Sequence, residues 1–239
     1  MGSEGPGAQV RVVKGDDLFT WDEVPRPQGD ENPPGYETVL FRSGDGAFSC
    51  GFWKRMPESG ILAPPFDEIM CILDGEVEVT KEDGTTLRIG PGDILCAPNG
   101  SSARWRSLAP VFKFWAVHHG GVVETEVGAT HGGGPLAWSE STAPADDGFA
   151  PGREIAAFAA GNFSTGLWER DEFDRDFDRD HDEVALIISG EADITTERGA
   201  ELHARPGDVF ITPRGSRGHW RSRSPLRKFW AVYEPSAGS

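Results

Sequence analysis

Apolar residues in this chain come in short runs punctuated by glycine and proline. "IMCILDG" (69–75) and "VALIISG" (184–190) are apolar runs that end in Gly. Directly after them, "EVEVT" (76–80) and "EADIT" (191–195) alternate polar and apolar positions, the period-two pattern of a half-buried strand. "GDILCAP" (92–98) and "GDVFITP" (207–213) are apolar segments that follow a proline and end at one. Between them, "KEDGTT" (81–86) and "TERGAE" (196–201) read as turns, each with a Gly available for a positive φ. Helical periodicity is scarce. Short strands at this spacing predict an all-β barrel or sandwich. "REIAAFAAG" (153–161) fits a short helix or a strand, and "STAPADDGFAPG" (141–152) is expected to be an exposed connection.

The strands predicted in one half recur in the other. "FSCGFWKR" (48–55) matches "FSTGLWER" (163–170), "DEIMCILDGEVEVT" (67–80) matches "DEVALIISGEADIT" (182–195), and "KFWAV" occurs at 113–117 and 228–232. Each pair is offset by 115 residues, and 48–117 against 163–232 gives 29 identities in 70 positions without a gap. One register held over that length marks a duplicated domain. The expected division is 1–122 and 123–239.

Composition narrows the function classes. Hydrophobic residues make up 37% and aromatics 10%, enough for packed cores. The formal net charge of −16 opposes phosphate backbones and anionic lipid, so neither nucleic acid nor a membrane is an expected partner. Cys50, Cys71 and Cys96 form no CxxC pair and read as buried, reduced thiols. No apolar leader or membrane-length run is apparent, so a cytoplasmic location is expected. His118 and His119, beside Gly120-Gly121, are expected to be exposed, and "THGGGP" (130–135) reads as a turn rather than a phosphate loop.

Each half resembles a cupin. The marks are Glu68 seven residues before Gly75, then Gly92-Asp93 and Pro98-x-Gly100. In the second copy they are Glu183 before Gly190, Gly207-Asp208 and Pro213-x-Gly215. A Trp after the Pro-x-Gly turn and a Lys on the last strand make both halves similar to the ethanolamine-utilisation, EutQ-like branch. The resemblance implies a bicupin, two jelly-roll β-barrels in tandem, and says less about function because cupins host many chemistries.

The resemblance also implies where a metal would sit. Metal cupins use His-x-His, a Glu a few residues on, and a further His after Pro-x-Gly. In the first copy the early positions hold Leu62 and Pro64, or Ile61 and Ala63 in the other spacing, and the late one holds Ala103. Only Glu68 remains as a donor. In the second copy the late position is Gly218, and the early ones are Phe177 and Arg179, or Asp176 and Asp178. Asp176, Asp178 and Glu183 are an oxygen set that suits a hard cation. His181 and His219 lie nearby but out of step, since one residue along a strand reverses the face. No cofactor is expected, with a divalent cation in the second barrel as the alternative.

The acidic stretch "EFDRDFDRDHDE" (172–183) carries seven carboxylates and one histidine. It is expected to be a solvated, charged rim segment, partly neutralised by Arg175 and Arg179. Chemistry is expected inside the barrels. Glu68 should pair with Lys113, and Glu183 with Lys228, giving candidate acid–base pairs. Trp53, Trp105, Trp168 and Trp220 are candidate ligand-binding side chains. Each of these residues also fits a purely structural role. The favoured function is a cofactor-independent isomerase, lyase or cyclase acting on a small molecule in a Trp-lined pocket. Two alternatives stand beside it: a non-catalytic metabolite-binding or sensing module, and a metal-dependent hydrolase or oxygenase in the second barrel. A monomer or a homodimer is expected.

Overall fold

The computed structural model describes residues 9–15, 19–25, 31–120, 128–130, 139–140 and 152–235. The segments read as a connection (141–152) and as a turn (130–135) lie almost wholly outside the described residues. Among the described residues the regular secondary structure is strand only.

In chain order the strands are β1 Arg11–Val13, β2 Asp22–Glu23, β3 Gly35–Arg42, β4 Phe48–Arg55, β5 Ser59–Leu62, β6 Asp67–Asp74, β7 Val77–Lys81, β8 Thr86–Ile89, β9 Ile94–Ala97, β10 Ala103–Ser107 and β11 Val111–His118. They continue as β12 Gly128–Thr130, β13 Ser139–Glu140, β14 Arg153–Ala160, β15 Phe163–Arg170, β16 Phe173–Asp178, β17 Asp182–Ser189, β18 Ala192–Thr196, β19 Glu201–Ala204, β20 Val209–Thr212, β21 Arg217–Ser222 and β22 Leu226–Tyr233. The segment 153–161, left open between helix and strand, is the strand β14.

Two compact units follow. One contains residues 18–42 and 46–135, the other 1–17, 43–45 and 136–239. The first barrel has a seven-stranded sheet, β12-β9-β6-β11-β4-β3-β2, and a four-stranded sheet, β5-β10-β7-β8. The second has β1-β20-β17-β22-β15-β14-β13 and β16-β21-β18-β19. All pairings are antiparallel, and each unit is a two-sheet jelly roll.

The duplication is wider than the 70-residue match. Val13 of β1 pairs with Val209, and Thr130 of β12 pairs with Ile94. Val209 and Ile94 are repeat partners, so β1 and β12 are equivalent edge strands. Thus β1, the first strand among the described residues, completes the second unit. It is fastened by Lys14, whose ammonium lies 2.9 Å from Asp208, and by the Gly15 N–H to the same carboxylate.

Alternation along the strands builds each core. In the first barrel Met70, Ile72, Val77, Val79, Ile89, Leu95 and Val111 pack with Trp105. In the second, Ala185, Ile187, Ala192, Ile194, Phe210 and Leu226 pack with Phe173, Phe177, Trp168 and Trp220. Gly75 and Gly190 close equivalent turns at φ +90° and +82°. A Cβ there would lie 2.2 Å from the carbonyl oxygen of Pro110 or Pro225, so both position and conformation demand Gly. Cys50, Cys71 and Cys96 are buried and in no disulfide, and burial pushes the Cys71 and Cys96 thiols up to about 12.

Two expectations need correction. Residues 173–178 are not a charged rim loop but strand β16, with Phe173 and Phe177 buried and Asp176 and Asp178 exposed. The inward phenylalanines supply the burial that holds an acidic segment in a sheet. His118 is buried rather than exposed, its Nδ1 3.2 Å from the Asp67 carboxylate. His119 is exposed and stacks edge-on against Phe66.

Candidate functional site

The first barrel contains a cavity of about 470 Å³, lined among others by Trp53, Trp105, Leu62, Glu37, Glu68 and Lys113. Strand register puts these groups together. Lys113 on β11 lies opposite Trp53 on β4 and Ile72 on β6. Its ammonium reaches along the sheet to donate to Glu68 Oε1 at 2.8 Å, with Met70 Sδ at 3.4 Å. The same ammonium lies 4.8 Å from the Trp53 ring centroid and 5.6 Å from that of Trp105. Two indole faces and one carboxylate therefore hold the charge. The pairing expected between Glu68 and Lys113 is present, and Trp53 and Trp105 both line the cavity.

Glu37 was missed from the sequence. It sits on β3 opposite Trp53 and borders the same cavity. Burial raises its pKa, and the Asp22 and Glu68 charges push the same way, against Arg42 and Lys113. It lies upstream of the gapless repeat in a stretch without a motif, so no local signal marked it. Arg55, which also lines the cavity, is engaged: it donates to the Pro33 carbonyl and pairs with Glu58 at 2.5 Å. The indole N–H groups of Trp105 and Trp115, both lining residues, are buried without an acceptor among the described residues.

The second barrel repeats the pair and covers it. Lys228 donates to Glu183 Oε1 at 2.5 Å and lies over the rings of Trp168 and Trp220. Here Arg179 closes on the other oxygen, with its Nη2 2.7 Å from Glu183 Oε2. Burial alone would raise the Glu183 pKa; Arg179, Lys228 and His181 overcome it and hold the carboxyl well below its usual range. Trp220 stacks between neighbours, with Phe173 at 4.5 Å, Phe210 at 5.8 Å and Trp168 at 6.0 Å between centroids. Trp168 and Trp220, candidates for ligand contact, are packed among aromatic rings.

The weak metal candidates do not converge. Asp176 and Asp178 lie on the outer side of β16. His219 is held by Asp174 at 2.6 Å and Asp176 at 2.8 Å, Asp178 pairs with Arg217, and Glu183 lies inside the barrel with Lys228 and Arg179. His181 bridges Asp180 at 2.8 Å and Glu183 at 3.9 Å. Among the described residues no group of three or more His, Cys, Asp or Glu side chains is placed to hold a metal ion. The positions where a cupin metal cage would stand are apolar cross-strand neighbours, Leu62 opposite Ala103 and Phe177 opposite Gly218. A Cβ on Gly218 would lie 2.8 Å from the Phe177 ring, so that ring fills the space. None of these cage positions carries an imidazole, so they do not fit a transition metal held by several histidines.

A family model described as the EutQ-like cupin domain matches residues 42–115 and again 158–230. The chain belongs to the EutQ-like cupin family, in two copies. Solved structures agree on the fold. A protein of unknown function from Pseudomonas syringae pv. tomato is 18% identical, with a TM-score of 0.73 over 94% of this chain and 100% of its own. The Escherichia coli protein YlbA is 12% identical, with a TM-score of 0.66 over 98% of this chain and 94% of its own. A cupin 2 conserved barrel domain protein from Leptotrichia buccalis is 10% identical, with a TM-score of 0.64 over 94% of this chain and 97% of its own. No curated protein matches the chain. No helix among the described residues is long and apolar enough to cross a membrane.

Proposed function

We propose that this bicupin binds a small organic molecule in its first barrel and catalyses proton transfer on it, as an isomerase, lyase or cyclase that needs no cofactor. The observation that carries this reading is the cavity of about 470 Å³ where Glu37, Glu68 and Lys113 meet between Trp53 and Trp105. The volume is that of a small-metabolite site. The indole faces suit a flat, partly apolar body, and the N–H groups of Trp105 and Trp115, without an acceptor among the described residues, call for one. Glu68, fixed by Lys113, orients the ligand. Glu37, whose burial favours its protonated form, exchanges a proton with a ligand carbon or heteroatom. The second barrel serves as scaffold, because Arg179 and the phenylalanines occupy the corresponding space.

The test is solvent-deuterium incorporation, followed by NMR, across a panel of small carbon acids. Wild-type protein should exchange at least one. Glu37→Gln should lower that exchange by about 10²-fold or more while leaving ligand affinity within about twofold. Affinity without exchange in the wild type would make the protein a binding module.

A further inference from the structure

The two barrels carry the same acid–amine pair with one oxygen treated differently. In the second, Glu183 Oε1 takes Lys228 and Oε2 takes the guanidinium of Arg179. In the first, Glu68 Oε1 takes Lys113, and Oε2 has no donor among the described residues. The residue at the place of Arg179 is Pro64, which brings neither charge nor backbone N–H. The backbone around Arg179 is anchored on both sides, by its N–H to the Ser216 carbonyl and by the Gly215 N–H to its own carbonyl. Its guanidinium also lies 5.4 Å from the Phe177 ring centroid. Leu62, in the place of Phe177, lines the open cavity of the first barrel.

We propose that Arg179 is a built-in copy of the ligand's head group, and that the first barrel takes a small molecule bearing a guanidinium, amidinium or similar cationic nitrogen group, which pairs with Glu68 Oε2. This rests on the reading of that cavity as the working site. The acceptor at Glu68 Oε2 and the shape of the cavity both support it. A carboxylate that neutralises Lys113 through one oxygen keeps a second acceptor for a donor entering between Trp53 and Trp105. Planar cations are favoured on such faces and on bidentate or side-by-side contacts with a carboxylate. In the second barrel one carboxylate holds an ammonium and a guanidinium together in this frame.

The assignment is tested by titrating the full chain with benzylguanidinium, methylguanidinium, neutral benzylurea and anionic phenylacetate, using tryptophan fluorescence and calorimetry. The guanidinium probes should bind at least about tenfold more tightly than benzylurea, and phenylacetate should bind weakest. Glu68→Gln should cost the guanidinium probes about 30-fold or more and leave benzylurea unchanged. Pro64→Arg, which places a guanidinium opposite Glu68, should abolish probe binding while the protein stays folded by circular dichroism. Equal binding of benzylurea, or binding of guanidinium probes that Glu68→Gln does not weaken, overturns the head-group assignment. So does failure of every cationic probe to bind. In each case the proton-transfer reading is still judged separately by its own deuterium test.

Discussion

The two barrels share a Glu–Lys pair at the same place in the same strands and differ in what stands over it. Around Glu68 and Lys113 there is a cavity; around Glu183 and Lys228 there is an arginine and an aromatic core. The change was made by a few side chains on one strand and the residues beyond it: Glu58, Leu62, Pro64 and Phe66 in the first copy, Phe173, Phe177, Arg179 and His181 in the second. A buried ion pair is weak evidence of function by itself, since it can serve only to fix packing. Its neighbours decide. Where water and ligand can reach the pair it can do chemistry; where a third charge seals it, it holds the fold together.

The comparison breaks most readily at the carboxylates. Glu183→Gln leaves Lys228 and Arg179 facing each other without an anion and should lower unfolding free energy by roughly 3–5 kcal/mol. Glu68→Gln should cost clearly less, because Lys113 borders a cavity that admits water. Urea denaturation of both variants checks this, and equal losses would contradict the open-against-sealed distinction. Next comes packing. Phe177→Ala should cost about 3 kcal/mol, since Gly218 opposite offers no atoms to refill the space. Leu62→Ala, beside existing empty volume, should fall below that in the same assay.

The smallest effect is one of pH and belongs to the second barrel alone. The Glu183 carboxylate, 3.9 Å from Nε2, raises the His181 pKa above its ordinary 6.5, with Asp180 helping and burial opposing. Phe66 in the first copy has no such charge. A cation with a raised folded pKa stabilises fully below about 6.5, and that contribution is lost as pH rises through the folded value. Stability of the wild type should therefore decline from pH 6 to 9 relative to His181→Gln, whose profile should be flatter over that window. Parallel profiles would show that His181 contributes nothing.

Much of the site was legible because the chain states it twice. Glu68 with Lys113 and Glu183 with Lys228 could be paired from sequence, since strand parity and an apolar setting leave an inward Lys little else to seek. Residues 172–183 misled for a physical reason. Carboxylates outnumber the two phenylalanines, yet Phe173 and Phe177 fall four apart, in phase with a strand, and their burial outweighs the charge count. Glu37 was invisible because it lies outside the gapless repeat and reaches the cavity only when β3 pairs with β4. His118 looked like a loop residue next to glycines, and the Asp67 carboxylate draws it inward.

The sequence alone determined the doubling, the strand content, the turns that only glycine can make and the identity of the paired acid and amine. Those are local or periodic properties, written in neighbouring residues and in a fixed offset. Which barrel stays open was decided only in three dimensions. The side chains that fill or leave the space come from different strands, and whether Arg179 meets Glu183 depends on where folded backbones place them, not on their spacing along the chain.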